Sequence, residues 1–426
     1  MKNRKLIYSA IVAVALVALV FTSCKKKEDT SFTLVTLVSG NSDLNGATTP
    51  TDVDPAGNIV ATFSTDVDAS TANNTNITIT RDYDGADVPL SATASGSSVT
   101  ITPSSTLDEG ALYHLNLGAG LKGTNGTAFV AVERNFQTTG TFVPSGEIAH
   151  WSFEGNGNDE TGTFNSTSST GITYVASRNA NAGQAASFDG STSIIQIPNP
   201  AGLENSSAIT LSFWVYGDTL NHTNSTGGLK GNFVMGAGFF KGMEIEMDAK
   251  FNWIKLGGSY AYPSADTTAY TNPDFFFNGD GMDKDHGGWQ GIAYEADLTA
   301  SGGPAQFFLE KWGHVVITFD AATGLHDVYL NGTLMETDDY HLWPAGDPVM
   351  SVTGMEFPPA SYETDLGTNF VFGFASDPST VFWSDTDFGN YANPDANHFK
   401  GMLDDVRIWH RALTAQEVSL IYNSEK

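Results

Sequence analysis

The chain has 426 residues and carries 48 Asp and Glu against 20 Lys and Arg, a formal net charge of −28 at pH 7. Nucleic acid and anionic lipid both call for basic surface, so neither is an expected partner, whereas neutral glycans are compatible with so acidic a chain. A single cysteine, Cys24, leaves no intrachain disulfide, and 44 glycines beside 27 phenylalanines suit a turn-rich, extracellular, all-β protein of more than one domain.

Residues 1–23 read as a secretory signal: Lys2, Arg4 and Lys5 precede the apolar run "LIYSAIVAVALVALVF". The stretch "FTSC" that follows resembles the lipobox of Bacteroidota-type lipoproteins, with Phe21 where leucine is usual. That resemblance implies removal of the signal and acylation of Cys24, the lipidation site, and two or more acyl chains anchor a protein stably. Residues 24–31, with Lys25-Lys26-Lys27-Glu28-Asp29, then form a charged tether. The expected location is the outer membrane, lipid-anchored at the cell surface. No later stretch is long and apolar enough to span a bilayer.

Between residues 32 and 140 seven apolar or β-branched runs alternate with turn signals such as "DPAG", "DYDG" and "ASGS". The runs are "FTLVTLV", "NIVATFS", "NITIT", "LSATAS", "SVTITP", "LYHLNL" and "ERNFQTT". Short strands at this spacing predict an immunoglobulin-type sandwich. "VATFSTDVDASTANNTNITI", "VTITPSSTLDEGALYHLNL" and "NFQTTG" resemble the bacterial Ig-like family of surface-layer proteins, which implies a spacer without catalytic residues. Residues 141–146, inside "TGTFVPSG", form the linker.

From 147 to 426 the segments "IAHWSFEGNGNDETG", "GQAASFDGSTSIIQIPN", "AITLSFWVYGD", "EKWGHVVITFDAATGLHDVYLNGTLMETD" and "FKGMLDDVRIWHRALTAQEVSLIYN" succeed one another. In this order they resemble the LamG-type, concanavalin A-like jelly roll of bacterial surface proteins. "HVVITFD" and "LHDVYLNGTLMET" predict a hairpin turning at 321–324, with a second tight turn at Asn331-Gly332. "LTAQEVSLIYN" predicts a terminal helix with a capping box from Thr414 to Glu417, anchored by Leu413, Val418 and Ile421. Two stretches, about 217–306 and 338–398, look like long insertions rich in aromatic and polar residues. The expected fold class is therefore all-β: an Ig-like sandwich followed by a jelly-roll sandwich with long loop insertions.

The LamG resemblance implies a structural Ca²⁺ held by Asp159 and Asp404, with Glu154 and Asp405 as further oxygen donors. Sugar rings present a C–H face and a rim of hydroxyls, and aromatic planes beside Asp, Asn or Gln suit them. Trp289, Trp343, Trp383, Tyr262 and Tyr391 sit in such company and are the candidate ligand-binding residues. In "GMEIEMDAKFNW" Glu244, Glu246 and Asp248 alternate with Met243, Ile245 and Met247. The row resembles the laminarinase-type Glu-x-Asp-x-Glu signature but reads Glu-x-Glu-x-Asp. As a plain hairpin arm it turns its apolar residues to the core and its acids away. With no nucleophile elbow and no His-Glu-x-x-His motif, no catalytic residue is assigned. The reading is a surface lipoprotein that binds a polysaccharide without catalysis, supporting glycan capture and uptake beside outer-membrane transporter partners. The alternatives are an adhesin for a protein partner, and a glycoside hydrolase or polysaccharide lyase.

Overall fold

The computed structural model describes residues 31–265, 267–363, 366–384 and 390–426. The signal and Cys24 lie outside the described residues. The chain divides into two compact units, one running to Leu107 and resuming at Ala111–Thr139, the other comprising Gly140–Lys426 with Asp108–Gly110.

The first unit is a β-sandwich in which each of the seven predicted runs supplies a strand. One antiparallel sheet orders Ser42–Asp43, Leu34–Ser39, Ile59–Phe63, Ser98–Pro103 and Leu90–Ser95; the other orders Ile77–Arg81, Leu112–Leu117 and Val132–Gln137. Burial follows the strand period of two, so Ile59, Ala61 and Phe63 are buried while Val60 and Thr62 are half-exposed. Phe32, Phe63 and Phe129 close one end, Phe32 stacking on Phe63 at 4.8 Å.

The second unit is also a sandwich. Its seven-stranded sheet orders Ser168–Thr170, Ile194–Pro198, Asn369–Phe372, Asn232–Gly236, Glu244–Met247, Ile254–Gly257 and Asp274–Phe277. The nine-stranded sheet orders Thr173–Ala176, Gln184–Asp189, Lys400–Trp409, Ala208–Gly217, Trp312–Asp320, Leu325–Leu330, Thr333–Asp339 and Ile292–Glu295, and Glu147–Trp151 also pairs with Lys400–Trp409. Between them lies one apolar core that includes Trp151, Phe213, Ile245, Phe275, Phe372 and Ile408.

The helix Ala415–Glu425 carries the predicted capping box in full, with Thr414 accepting from the Glu417 N–H and Glu417 from that of Thr414. Leu413, just before the helix, and Val418 and Ile421 within it are buried. The predicted hairpin turn closes with the Gly324 N–H donating to the Asp320 carbonyl. Asn331 and Gly332, at φ 49° and 76°, form the second turn.

The stretch 217–306 is less an insertion than the sequence suggested, because four of its segments are strands of the seven-stranded sheet itself. What is added is a small sheet of Thr267–Thr271, Tyr260–Ser264 and Gly354–Met355, joining the two long stretches.

Candidate functional site

The strand Glu244–Met247 pairs with Ile254–Gly257, and the latter with Asp274–Phe277, through continuous register. Ile245, Met247, Ile254, Leu256, Phe275 and Phe277 enter the core. The alternate residues therefore project from the outer face of the sheet. Cross-strand pairing sets them in rows: Glu244, Gly257 and Asp274 in one, Glu246, Lys255 and Phe276 in the next. Trp253 precedes Lys255 by two residues, and its ring meets Phe276 edge to face at 5.5 Å.

This face combines charge with aromatic surface. Lys255 Nζ lies 2.8 Å from Glu246 Oε2, 3.7 Å from Glu244 Oε1 and 6.0 Å from the centre of the Phe276 ring. Phe276 is 46% exposed and Glu244 only 1%. Burial pushes the Glu244 carboxyl up to about 7; Lys255 opposes the shift, and the charges of Glu246 and Asp274 add to it. Burial alone would lower Lys255, but Glu244 and Glu246 outweigh it and raise the ammonium above its ordinary value. Gly257 keeps the Glu244–Asp274 row open, since a Cβ there would stand 3.2 Å from Asp274 Oδ1. Chemically the face offers a donor at Lys255, acceptors at Glu246 and Asp274, and an aromatic face at Phe276 with the Trp253 ring standing against it.

The sequence-predicted aromatics gather in two other places. Trp289, 47% exposed, meets Trp343 edge to face at 5.8 Å. Trp343 is itself half-buried against Phe275 and Tyr340. Trp383 stacks on Tyr391 at 4.0 Å, and Tyr391 also meets Phe374 and His398 while its hydroxyl donates to the Thr192 carbonyl. That pair is half-buried and fills a satellite core with Phe233, Phe239 and Val371. Tyr262 is likewise half-buried, against the main core.

The proposed calcium donors do not converge. Both Asp159 oxygens are taken, by the N–H groups of His150, Thr161, Thr163 and Phe164 and by the Thr161 hydroxyl. Burial opposes ionisation of Asp159, but these bonds prevail and lower its pKa. Glu154 accepts from the Gln184 N–H at 2.8 Å.

Asp404 and Asp405 both hold Arg178, whose guanidinium also lies 4.5 Å over the Trp214 ring. Asp405 further accepts from Arg407 and pairs with His150 at 2.7 Å. Burial works against ionisation of Asp405, yet Arg407, His150 and Arg178 hold it well below the usual carboxylate range. Burial and the charge of Asp405 push Asp404 up. Among the described residues no group of three or more His, Cys, Asp or Glu side chains is placed to hold a metal ion. A guanidinium, not a set of free oxygen ligands, meets this cluster, so the four residues do not fit a calcium centre.

Sequence reasoning missed Trp253, Lys255, Asp274 and Phe276 as neighbours. The alternation in "FNWIKLGG" and "DFFFN" signals one exposed side for each segment, but only the pairing register brings those sides together.

Compared with known families, residues 41–140 match the bacterial Ig-like domain. No curated protein matches the chain. Solved structures similar to it include domain 4 of AbnA, a GH43 extracellular arabinanase from Geobacillus stearothermophilus, in complex with arabinotriose, at 19% identity over 65% of this chain and 98% of that one, with a TM-score of 0.35. The binding domain of botulinum neurotoxin DC in complex with SialylT is 13% identical over 67% and 52% of the two chains, TM-score 0.39. The botulinum neurotoxin type G receptor binding domain is 14% identical over 66% and 51%, TM-score 0.37. The chain thus spans about half the length of the toxin structures. Likeness of this degree carries no functional argument.

Proposed function

We propose that the second unit binds carbohydrate without catalysis through the outer face of its seven-stranded sheet, on a protein anchored through Cys24 at the cell surface. One observation carries the reading: Phe276, exposed and edge to face with Trp253, borders the Lys255–Glu246 ion pair on the same sheet face. A pyranose laid on Phe276, with Trp253 at its side, turns its hydroxyl rim toward Lys255, Glu246 and Asp274. A site built on paired strands holds that geometry firmly. The state of the acids supports binding rather than hydrolysis. Glu246 is ion-paired and Glu244 is covered, so the row offers no free nucleophile beside an accessible acid. The Ig-like unit serves as the spacer, and glycan capture for uptake is the role assigned.

The chain from Lys25 onward, probed on a broad glycan array, is expected to bind at least one neutral glycan. Trp253→Ala and Phe276→Ala are expected to weaken that binding by about fivefold or more, as central aromatic contacts do, with the fold intact by circular dichroism. Trp289→Ala serves as the comparison: if it abolishes binding while the sheet variants retain it, the site lies on the loops instead. No binding across the array sinks the carbohydrate reading, and shortened glycan products by mass spectrometry sink the non-catalytic one. Lipid labelling that persists in Cys24→Ser argues against the anchor.

A further inference from the structure

The far edge of the nine-stranded sheet collects carboxyl groups that the proposed function does not use. Glu295 stands directly opposite Glu336, and Asp338 directly opposite His326. Glu336 and Asp338, two apart on one strand, share a face. Glu295, Glu336 and Asp338 are 6%, 1% and 4% exposed, and His326 is fully buried.

His326 stacks on Phe275 at 4.4 Å, and Phe275 on Tyr340 at 5.5 Å, so aromatic rings flank the cluster. The groups facing the carboxyls are Asp280 from the 278–281 turn, His326 and Asp327 from the neighbouring strand, Tyr260 and Tyr340. Among the described residues no lysine or arginine pairs with Glu295, Glu336 or Asp338. Asp338 Oδ2 lies 3.3 Å from His326 Nδ1 without a hydrogen bond, and Glu336 Oε2 is also without a donor while both acids are ionised.

Carboxylates opposite one another across a strand pair stand roughly 4.5–5.5 Å apart at Cβ, and like charges there repel. Buried without a full cation, they do not all ionise together. A proton on Glu336, donated to Asp338, removes one charge and supplies the missing donor at once.

The consequence is local. Ile292–Glu295 is an edge strand with a single neighbour, Thr333–Asp339. Glu295 Oε1 accepts from the Gly279 and Asp280 N–H groups at 2.9 and 3.3 Å, which ties down the start of the 278–291 loop. Its end is tied by the Asp339 N–H to the Gly291 carbonyl at 2.9 Å and by Gln290 to the Leu342 carbonyl at 2.8 Å. That loop carries Trp289.

We propose that Glu336 and Asp338 share one proton at neutral pH, and that this proton is a clasp: it holds the edge strand and the Trp289 loop in place, and its loss in alkali releases them. The sign follows from the folded state keeping a proton that the opened state gives up. Burial, first, and then neighbouring acids raise both Glu295 and Glu336. Stability of the clasp is complete in acid, below the ordinary carboxyl range, and is lost as pH rises through the raised folded values. The clasp does not depend on what the outer sheet face binds.

Hydrogen exchange of the whole chain, corrected for intrinsic base catalysis, tests it. The Gly279, Asp280 and Ala296 amides are expected to open about tenfold more per pH unit, for one proton released, on passing from neutral to alkaline pH. The helix Ala415–Glu425 is expected not to follow. Glu336→Gln keeps a donor toward Asp338 and cannot ionise, so it should flatten the slope; Glu295→Gln, which removes the facing charge, should flatten it too. A flat slope in the wild type, the wild-type slope in either folded variant, or the same slope throughout the second unit overturns the proposal. If neither variant folds, the wild-type slope at those three amides against the helix decides.

Discussion

Asp404, Asp405 and Glu425 are about as well covered as Glu295, Glu336 and Asp338, yet the two sets meet opposite surroundings. The first receives Arg178 and Arg407, with Arg178 reaching Asp404, Asp405 and Glu425 together and Arg407 reaching Asp405, Glu425 and Glu147. The second receives one buried imidazole. A guanidinium is permanently charged and forks between carboxylates. A shared proton is as effective against repulsion but depends on pH. Charge alone thus tells little about how an acidic interior is held; the partner decides whether it is a fixed strut or a titratable one. The outer sheet face lies between these cases, with Lys255 partly open to water beside Glu246 and Glu244.

Arg178→Ala should break the strut most severely. It strips a buried cation from three carboxylates, and losing one partner of a buried ion pair costs about 3–5 kcal/mol, measured by chemical denaturation at pH 7. Arg178→Lys should recover only part of this, because an ammonium cannot fork; full recovery would show that charge without geometry suffices.

Lys255→Met should cost less than Arg178→Ala, about 1–3 kcal/mol, since Lys255 and Glu246 keep some contact with water while the buried Glu244 loses its counter-charge. The same variant should weaken glycan binding if the sheet face is the site. The smallest effect should come from calcium: adding it, or removing it with EDTA, should move the melting temperature by under about 1 °C, because Arg178 already neutralises Asp404 and Asp405. A shift of several degrees would place a cation where Arg178 now serves.

Much of the fold was legible from pattern. The seven runs of the first unit, the Glu244–Met247 hairpin with Ile245 and Met247 inward, and the Thr414 capping box all follow from local periodicity and capping chemistry. The aromatics were legible as a class but not as a site. Trp383 and Tyr391 have the same polar company in sequence as Trp289, yet they fill a satellite core while Trp289 is exposed. Their positions depend on how long segments return to the sheet, and no local rule fixes that. The surroundings of the expected calcium donors were hidden for a similar reason: Asp404 meets Arg178, a residue 226 positions away in the chain.

By itself the sequence determined the acidic balance, the two-sandwich order, the core-facing side of alternating strands such as Ile59–Phe63 and Glu244–Met247, and the cap that starts the last helix. Those features rest on interactions within a few residues of one another. Only the tertiary structure decided that Trp253, Lys255 and Phe276 share one face, that Arg178 closes on Asp404 and Asp405, and that Glu336 faces Glu295. Each depends on strand register between segments far apart in sequence. Moving a strand's register by one residue would send that strand's side chains to the opposite face, and the choice among registers is made by the whole core at once.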